Sequence, residues 1–304
     1  MKMKRFVSVA LAALMLLPIL AGCGAKTEAP VATAAPAATE APVETAVETT
    51  APVALAEDVQ KIVDRGVLRV GVKNAVLGFG FQDELTGEYS GMEISLAEKI
   101  AEYLGVDVEF TAVTAATRTE LLDSGDIDCV LATFTITEER KKSWDFTTPY
   151  YTDYVTVLVE DASGIKTLAD LKDKKVGVSS GSTSAKALVK AMIEAGVLSG
   201  DGFDADSFDP ATWTDGVSFA QYDDYPTIST ALSAGEVDTF CVDKSILAVY
   251  HTDGRSYIDD KFSPQEYGIA TTKGSGMSEL CETLITGWLA DGTIDALIAE
   301  NGIA

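Results

Sequence analysis

Residues 94–133 read ISLAEKIAEYLGVDVEFTAVTAATRTELLDSGDIDCVLAT, and the spacing of their apolar side chains changes character three times. In ISLAEKIAEYLG (94–105) apolar residues recur every three or four positions and Gly105 follows, which predicts an amphipathic helix with a glycine stop. VDVEFTAV (106–113) alternates and predicts a strand. RTELLDSG (118–125) predicts a short helix, and IDCVLAT (127–133) a buried strand. Just upstream, VLRVGV (67–72) is a further apolar strand. The resulting βαβαβ rhythm predicts an α/β fold, a mostly parallel sheet with helices on both faces.

The rhythm restarts at LADLKDKKVGVSSGSTSAKALVKAMIEAG (168–196), again a strand, a Gly/Ser turn and a helix. A weak echo also joins the two halves. LLDSGDIDCVLAT (121–133) and ALSAGEVDTFCVD (231–243) share helix, glycine turn, acid, apolar residue, Asp and strand, which suggests two related lobes. Open α/β sheets bind ligands at the carboxyl ends of their strands. Here those ends carry Thr133 and Thr135 in one half and Asp243 in the other.

With Asp+Glu 47 against Lys+Arg 23, the net charge of −24 argues against nucleic acid, whose phosphates need clustered cations. One histidine among 304 residues leaves little scope for metal or triad chemistry. Lys2, Lys4 and Arg5 precede a short apolar run ending in Leu20-Ala21-Gly22-Cys23. That pattern reads as a signal peptide (1–22) with a bacterial lipobox, so Cys23 is expected to carry the lipid anchor. Residues 25–57, rich in Ala, Thr, Pro, Val and Glu without an aromatic, read as a disordered tether. Cys129, Cys241 and Cys281 lie in apolar runs and read as buried thiols, with a Cys129–Cys241 disulfide as the less favoured alternative.

Two segments point to ligand chemistry. In VGVSSGSTSAKALVK (176–190) a strand enters a helix through a Gly/Ser turn, whose free N–H groups suit an anion; plain capping by Ser182 or Ser184 is the simpler alternative. The same residues spell a hydrolase-like G-x-S-x-G with Ser179, but His251 lies in a polar turn and disfavours a Ser179–Asp243–His251 triad. In TFTITEERKKSWDFTTPYY (133–151), Thr137 reads as a helix cap, placing Arg140 within a turn of Thr133 and Thr135. An Arg fork beside hydroxyls suits a carboxylate, unless Glu138 or Asp145 pairs with it.

Together, GVLRVGVKN (66–74), TGEYSGMEISLAEKIAEYLG (86–105), LATFTITEERKKSWDFTTPYY (131–151), VGVSSGSTS (176–184) and FCVDKSIL (240–247) resemble the polar-amino-acid substrate-binding proteins of bacterial ABC importers, extracellular solute-binding family 3. The resemblance spans about 58–304 and is nearest to the glutamate/aspartate branch. It implies a two-lobed periplasmic-binding-protein type II clamp with two crossover hinge strands, near 150–155 and 265–270. Lobe 1 is then 58–150 plus 269–304, and the hinge and lobe 2 are 151–268.

By the same resemblance, Arg140 clamps the ligand α-carboxylate with Thr135 and Thr183, and Asp243 pairs with the α-ammonium beside Thr133. Phe79 or Phe81 packs on the ligand. Lys73 and Arg118 meet a side-chain carboxylate, and Tyr225 is a further wall. The family pattern is broken at Ser95 and Ser179, and an acidic stretch at 198–216 looks inserted; its aspartates read as solvated rather than calcium-binding.

The resemblance therefore implies a monomeric, lipid-anchored receptor on the outer face of the cell membrane. It hands a free L-amino acid, glutamate or aspartate, to a membrane permease, with no cofactor and no catalysis. Glutamine is the near alternative, and a cleft dehydratase of small carboxylic acids the alternative from another class.

Overall fold

The computed structural model describes residues 55–303, so the expected signal peptide, Cys23 and most of the tether lie outside the described residues. The described chain opens with α1 (Glu57–Arg65) and β1 (Val67–Val72), then a small three-stranded flap of β2 (Ala75–Val76), β3 (Gly80–Gln82) and β4 (Tyr89–Ser90). Next come α2 (Met92–Leu104), β5 (Asp107–Ala112), α3 (Thr117–Ser124) and β6 (Cys129–Leu131). A one-turn 3-10 helix, Arg140–Lys142, leads to β7 (Trp144–Phe146) and β8 (Tyr151–Glu160). The second half holds β9 (Lys174–Ser179), α4 (Ser184–Glu194), β10 (Val217–Tyr222), α5 (Tyr225–Ser233), β11 (Thr239–Asp243) and α6 (Lys244–Leu247). It closes with β12 (Arg255–Tyr257) and β13 (Phe262–Tyr267), after which β14 (Ala270–Thr272), α7 (Gly276–Ala290) and α8 (Thr293–Glu300) follow.

Two sheets result. The first has the order β5-β1-β6-β14-β7, and the second β10-β9-β11-β8-β12 with β13 also on β8. Parallel pairs β1/β5, β1/β6, β9/β10 and β9/β11 form both centres, as the βαβ rhythm predicts. β8 and β13 are the two chain crossings between the lobes. They pair antiparallel, Tyr151 opposite Tyr267 and Asp153 opposite Gln265, so the two crossings form a two-stranded ribbon.

The internal echo has a physical cause. After α3 and α5, Gly125 and Gly235 turn the chain in the left-handed region, and Asp128 and Asp238 follow. The Asp128 carboxylate accepts the Arg69 N–H of β1 at 2.8 Å, and Asp238 accepts the Lys175 N–H of β9 at 2.8 Å. Each aspartate therefore pins the neighbouring parallel strand in register.

Leu68, Val70 and Val72 of β1 pack with Leu96, Ile100 and α7 residues in the first core. Val155, Val157, Val176 and Leu188 form the second. Cys129, Cys241 and Cys281 are buried free thiols, and burial pushes all three upward, Cys281 to about 12. The 198–216 stretch is not merely a solvated acidic loop: Phe203, Phe208 and Trp213 cluster, with ring centroids 5.6–5.9 Å apart, and pack on Phe219 of β10.

Candidate functional site

Two residues beyond β6 the chain passes through a strained residue. Thr133 has φ +44°, a conformation that a β-branched side chain adopts only when its surroundings impose it. Glu93, fully buried in the first turn of α2, accepts the Thr133 N–H at 2.7 Å and the Tyr150 hydroxyl at 2.6 Å. Burial pushes the Glu93 carboxyl above its usual range, against these two donors.

The chain on either side of Thr133 supplies the cations, Arg118 before it and Arg140 after it. Thr137 caps the 3-10 turn by accepting the Arg140 N–H at 3.1 Å, as its sequence position implied, although the turn does not grow into an α-helix. The Arg140 guanidinium donates from Nη1 to the Thr135 carbonyl (2.6 Å) and from Nη2 to the Gly181 carbonyl of the other lobe (3.0 Å). Arg118 does not pair with Glu120 or Asp123; it turns inward from α3 and donates to the carbonyls of Ala132 (2.8 Å) and Thr133 (3.3 Å). Both guanidiniums lie over the Phe134 ring, at 3.7 and 4.6 Å from its centre.

Neither Arg118, Arg140 nor Lys73 has a salt-bridge partner among the described residues: Glu138 is taken by Lys141 and Asp145 by Lys273. Burial and mutual repulsion bring Arg140 down to about 9, and burial alone outweighs nearby carboxylates to bring Arg118 to about 10. An anion in this space would reverse both penalties.

Lobe 2 faces these groups with the α4 entrance. Ser182, Thr183 and Ser184 form the turn, and no side chain caps the helix N-terminus. Thr183 Oγ1 instead donates to Gln265 of the hinge strand β13 at 2.7 Å. Asp243, 4% exposed at the end of β11, closes the other side and accepts the Tyr267 hydroxyl at 2.5 Å. Burial, then the neighbouring Asp153 carboxylate, push Asp243 up to about 7.

Together Arg118, Thr133, Thr135, Arg140, Thr183, Tyr225 and Asp243 line one narrow cavity between the lobes. Four polar atoms of its lining residues have no hydrogen-bond partner among the described residues: Arg118 Nε, Thr133 Oγ1, Ser182 Oγ and Ser184 Oγ. Each unmatched buried polar atom costs about 1–3 kcal/mol, so their convergence on one cavity marks a place built for a polar guest.

Seven of the expected ligand residues thus meet, and three do not line this cavity. Lys73 is buried beyond the Tyr225 ring, its ammonium 5.4 Å from the ring centre, in an adjoining space with Asn74, Thr114 and Ser179. Burial and the Arg118 charge hold it well below the usual lysine range. Phe79 is a correction: it is fully buried, edge-on to Tyr151 and Tyr267, because β2 and β3 fold it into the first core. Phe81 is also displaced, to an outer groove with Gln82, Val249 and Tyr250.

The ring that serves the site is Phe134, between two threonines. Strand alternation offers no hint that two arginines from elsewhere would stack on it. His251 is exposed and stacks on Tyr257, whereas Ser179 is buried in β9, so the hydrolase arrangement does not form.

A clamp of this topology, with a polar, arginine-lined cavity between its lobes, leads to a family. Residues 68–300 match the bacterial extracellular solute-binding proteins, family 3. The chain belongs to that family.

It is 31% identical to the glutamine-binding protein of Geobacillus stearothermophilus over 276 residues, covering 89% of this chain and 93% of that one. To the L-cystine-binding protein TcyJ of Escherichia coli K12 it is 32% identical over 243 residues, covering 78% and 83%. Among solved structures, an ancestral arginine-binding protein bound to arginine is 35% identical with a TM-score of 0.65, covering 78% of this chain and 98% of that one. These relatives are named as binding proteins rather than enzymes, and their names differ in the amino acid bound. The family-3 clamp therefore holds, and the names of these relatives do not single out one amino acid. Among the described residues no helix is long and apolar enough to cross a membrane.

Proposed function

We propose that this family-3 protein is the receptor of an amino-acid ABC importer, closing its two lobes on one polar L-amino acid and presenting it to a membrane permease. The observation that carries this reading is the pairing of Arg140 and Asp243 across one small cavity. A fork for a carboxylate and a carboxylate for an ammonium line the same cavity, as the two ends of an amino acid require. Arg140, Thr135 and the N–H groups at Thr183 receive the α-carboxylate; Asp243 and Thr133 receive the α-ammonium. No bond is made or broken, and selectivity is equilibrium binding coupled to hinge closure.

Glutamate or aspartate is the ligand favoured by charge. Arg118 and Lys73 remain uncompensated beside the Tyr225 wall and disfavour an apolar side chain. Glutamine is supported by the relatives' names and satisfies the same donors with its amide oxygen. Lipid on Cys23 would hold the receptor on the outer face of the membrane as a monomer.

Thermal unfolding of the 55–304 chain, refolded to strip carried-over ligand, against the twenty amino acids and L-cystine tests this reading. A true ligand at a hundredfold over its Kd adds about 2.7 kcal/mol. Arg140→Ala is expected to abolish that rise, and a rise retained in the variant, or none with any compound, overturns the assignment.

A further inference from the structure

Behind Asp243 lies a second buried carboxylate that ligand contact does not explain. Asp153, 5% exposed on the first hinge strand β8, is anchored by the Ser245 N–H at 3.0 Å and by the Ser245 hydroxyl. Tyr267, fully buried on the return strand β13, reaches both acids. Its hydroxyl lies 2.5 Å from Asp243 Oδ2 and 3.3 Å from Asp153 Oδ2. The two carboxylates and the phenol between them therefore join the end of β11 to both strands of the hinge.

One phenol has one proton to give, and two carboxylates compete for it. Two buried carboxylates this close disfavour double ionisation. We propose that Asp153, Tyr267 and Asp243 form a proton-holding triad in the hinge, which exchanges its proton for the ligand's ammonium when the cleft closes. The inference rests on the reading of Asp243 as the ammonium's partner.

In the free chain Asp243 keeps a proton; capture of an ammonium supplies the positive charge instead, and that proton leaves to solvent. The other groups facing Asp243 are Arg118 from α3, Arg140 from the 3-10 turn, Lys73 after β1, Tyr225 from α5 and Cys241 on its own strand. Tyr151 and Tyr257 flank Asp153. The arginines favour the ionised Asp243, yet burial and Asp153 prevail and set its titration at about 7. Binding needs the ionised form, so affinity is full above that value and falls about tenfold per pH unit below it.

The variants make the test signed. Asp153→Asn removes the repelling charge but keeps an acceptor for Ser245, so the midpoint of affinity against pH moves down. Tyr267→Phe removes the donor that favours ionised Asp243, so the midpoint moves up. A merely structural role would lower affinity at every pH without moving the midpoint. His251→Gln, the only histidine and outside the cleft, leaves the profile unchanged.

Titration calorimetry with L-glutamate and L-glutamine at about pH 6 and pH 8.5, each in two buffers of different ionisation enthalpy, counts the protons. Close to one released per ligand at the lower pH and close to none at the higher is expected. Equal proton counts at both pH values, or midpoints that move together in the two variants, overturn the triad.

Carbon-13 NMR of the Asp243 carboxyl in the ligand-free chain, assigned with Asp243→Asn, separates this failure from that of the receptor reading. If neither amino acid binds, the receptor reading falls, and the NMR titration still decides the triad. A carboxyl already ionised at pH 5–6 overturns it.

Discussion

Gly181 sits where the two lobes touch. Its φ is +73°, and a β-carbon there would lie 2.9 Å from the Ala115 carbonyl oxygen and 3.0 Å from Ala116 Cα, both backbone atoms of the opposite lobe. Gly181→Ala should therefore oppose closure by contact as well as by backbone strain of about 1–2 kcal/mol. The expected result is at least tenfold weaker binding, with a radius of gyration by small-angle scattering that no longer shrinks when ligand is added.

Lys73 acts at the same scale but on selectivity. Lys73→Met keeps the buried stem and removes the ammonium behind Tyr225. If glutamate is the ligand, the ratio of glutamate to glutamine affinity should fall about tenfold or more. A ratio that does not change places the side-chain end of the ligand elsewhere, at Arg118 alone.

At the scale of elements, the repeated helix-turn-strand unit is held by its aspartate. Asp128 is the better enclosed of the two, since Arg65 and Arg69 pair with it while it also accepts the Arg69 N–H. Asp238 is exposed and accepts only the Lys175 N–H. Hydrogen bonds to charged groups contribute about 1.5–3 kcal/mol, less at an exposed site. Asp128→Ala is expected to cost about 2–3 kcal/mol in urea unfolding and Asp238→Ala about 1. The reverse order would mean that the arginine pair adds nothing.

Across the whole molecule, closure brings together surfaces far apart in the chain. Besides the Arg140–Gly181 bond, Lys186 of α4 meets Glu139 at 3.1 Å over the cleft mouth. Both side chains are partly exposed, and such pairs contribute about 0–1 kcal/mol. Lys186→Met should raise the ligand off-rate by no more than about fivefold in stopped-flow measurements and leave the on-rate unchanged. In wild type the off-rate should rise with salt, and in the variant it should not. A larger effect would mean that the pair is the main latch and Arg140 only a ligand clamp.

The sequence by itself determined the elements and their order, because helix and strand periodicities are local properties of burial. It also placed the polar ends of β6 and β11, since Thr133, Thr135 and Asp243 interrupt apolar runs where strands must stop. The echo at 121–133 and 231–243 was legible for the same reason: glycine, acid and aspartate act within a few residues of one another. Only the tertiary structure decided which of these ends meet and which aromatic they meet on.

Phe79 was taken into the core by Tyr151 and Tyr267, which lie far along the chain. Phe134 was put beneath Arg118 and Arg140, which are near in sequence but meet only because α3 and the 3-10 turn fold to the same side of it. Lys73 fell behind Tyr225 because the two lobes bring residues distant in the chain side by side. The link from Asp153 through Tyr267 to Asp243 was equally invisible. Its three members come from three strands of one sheet, and it exists because the hinge ribbon lays β8 between β11 and β13.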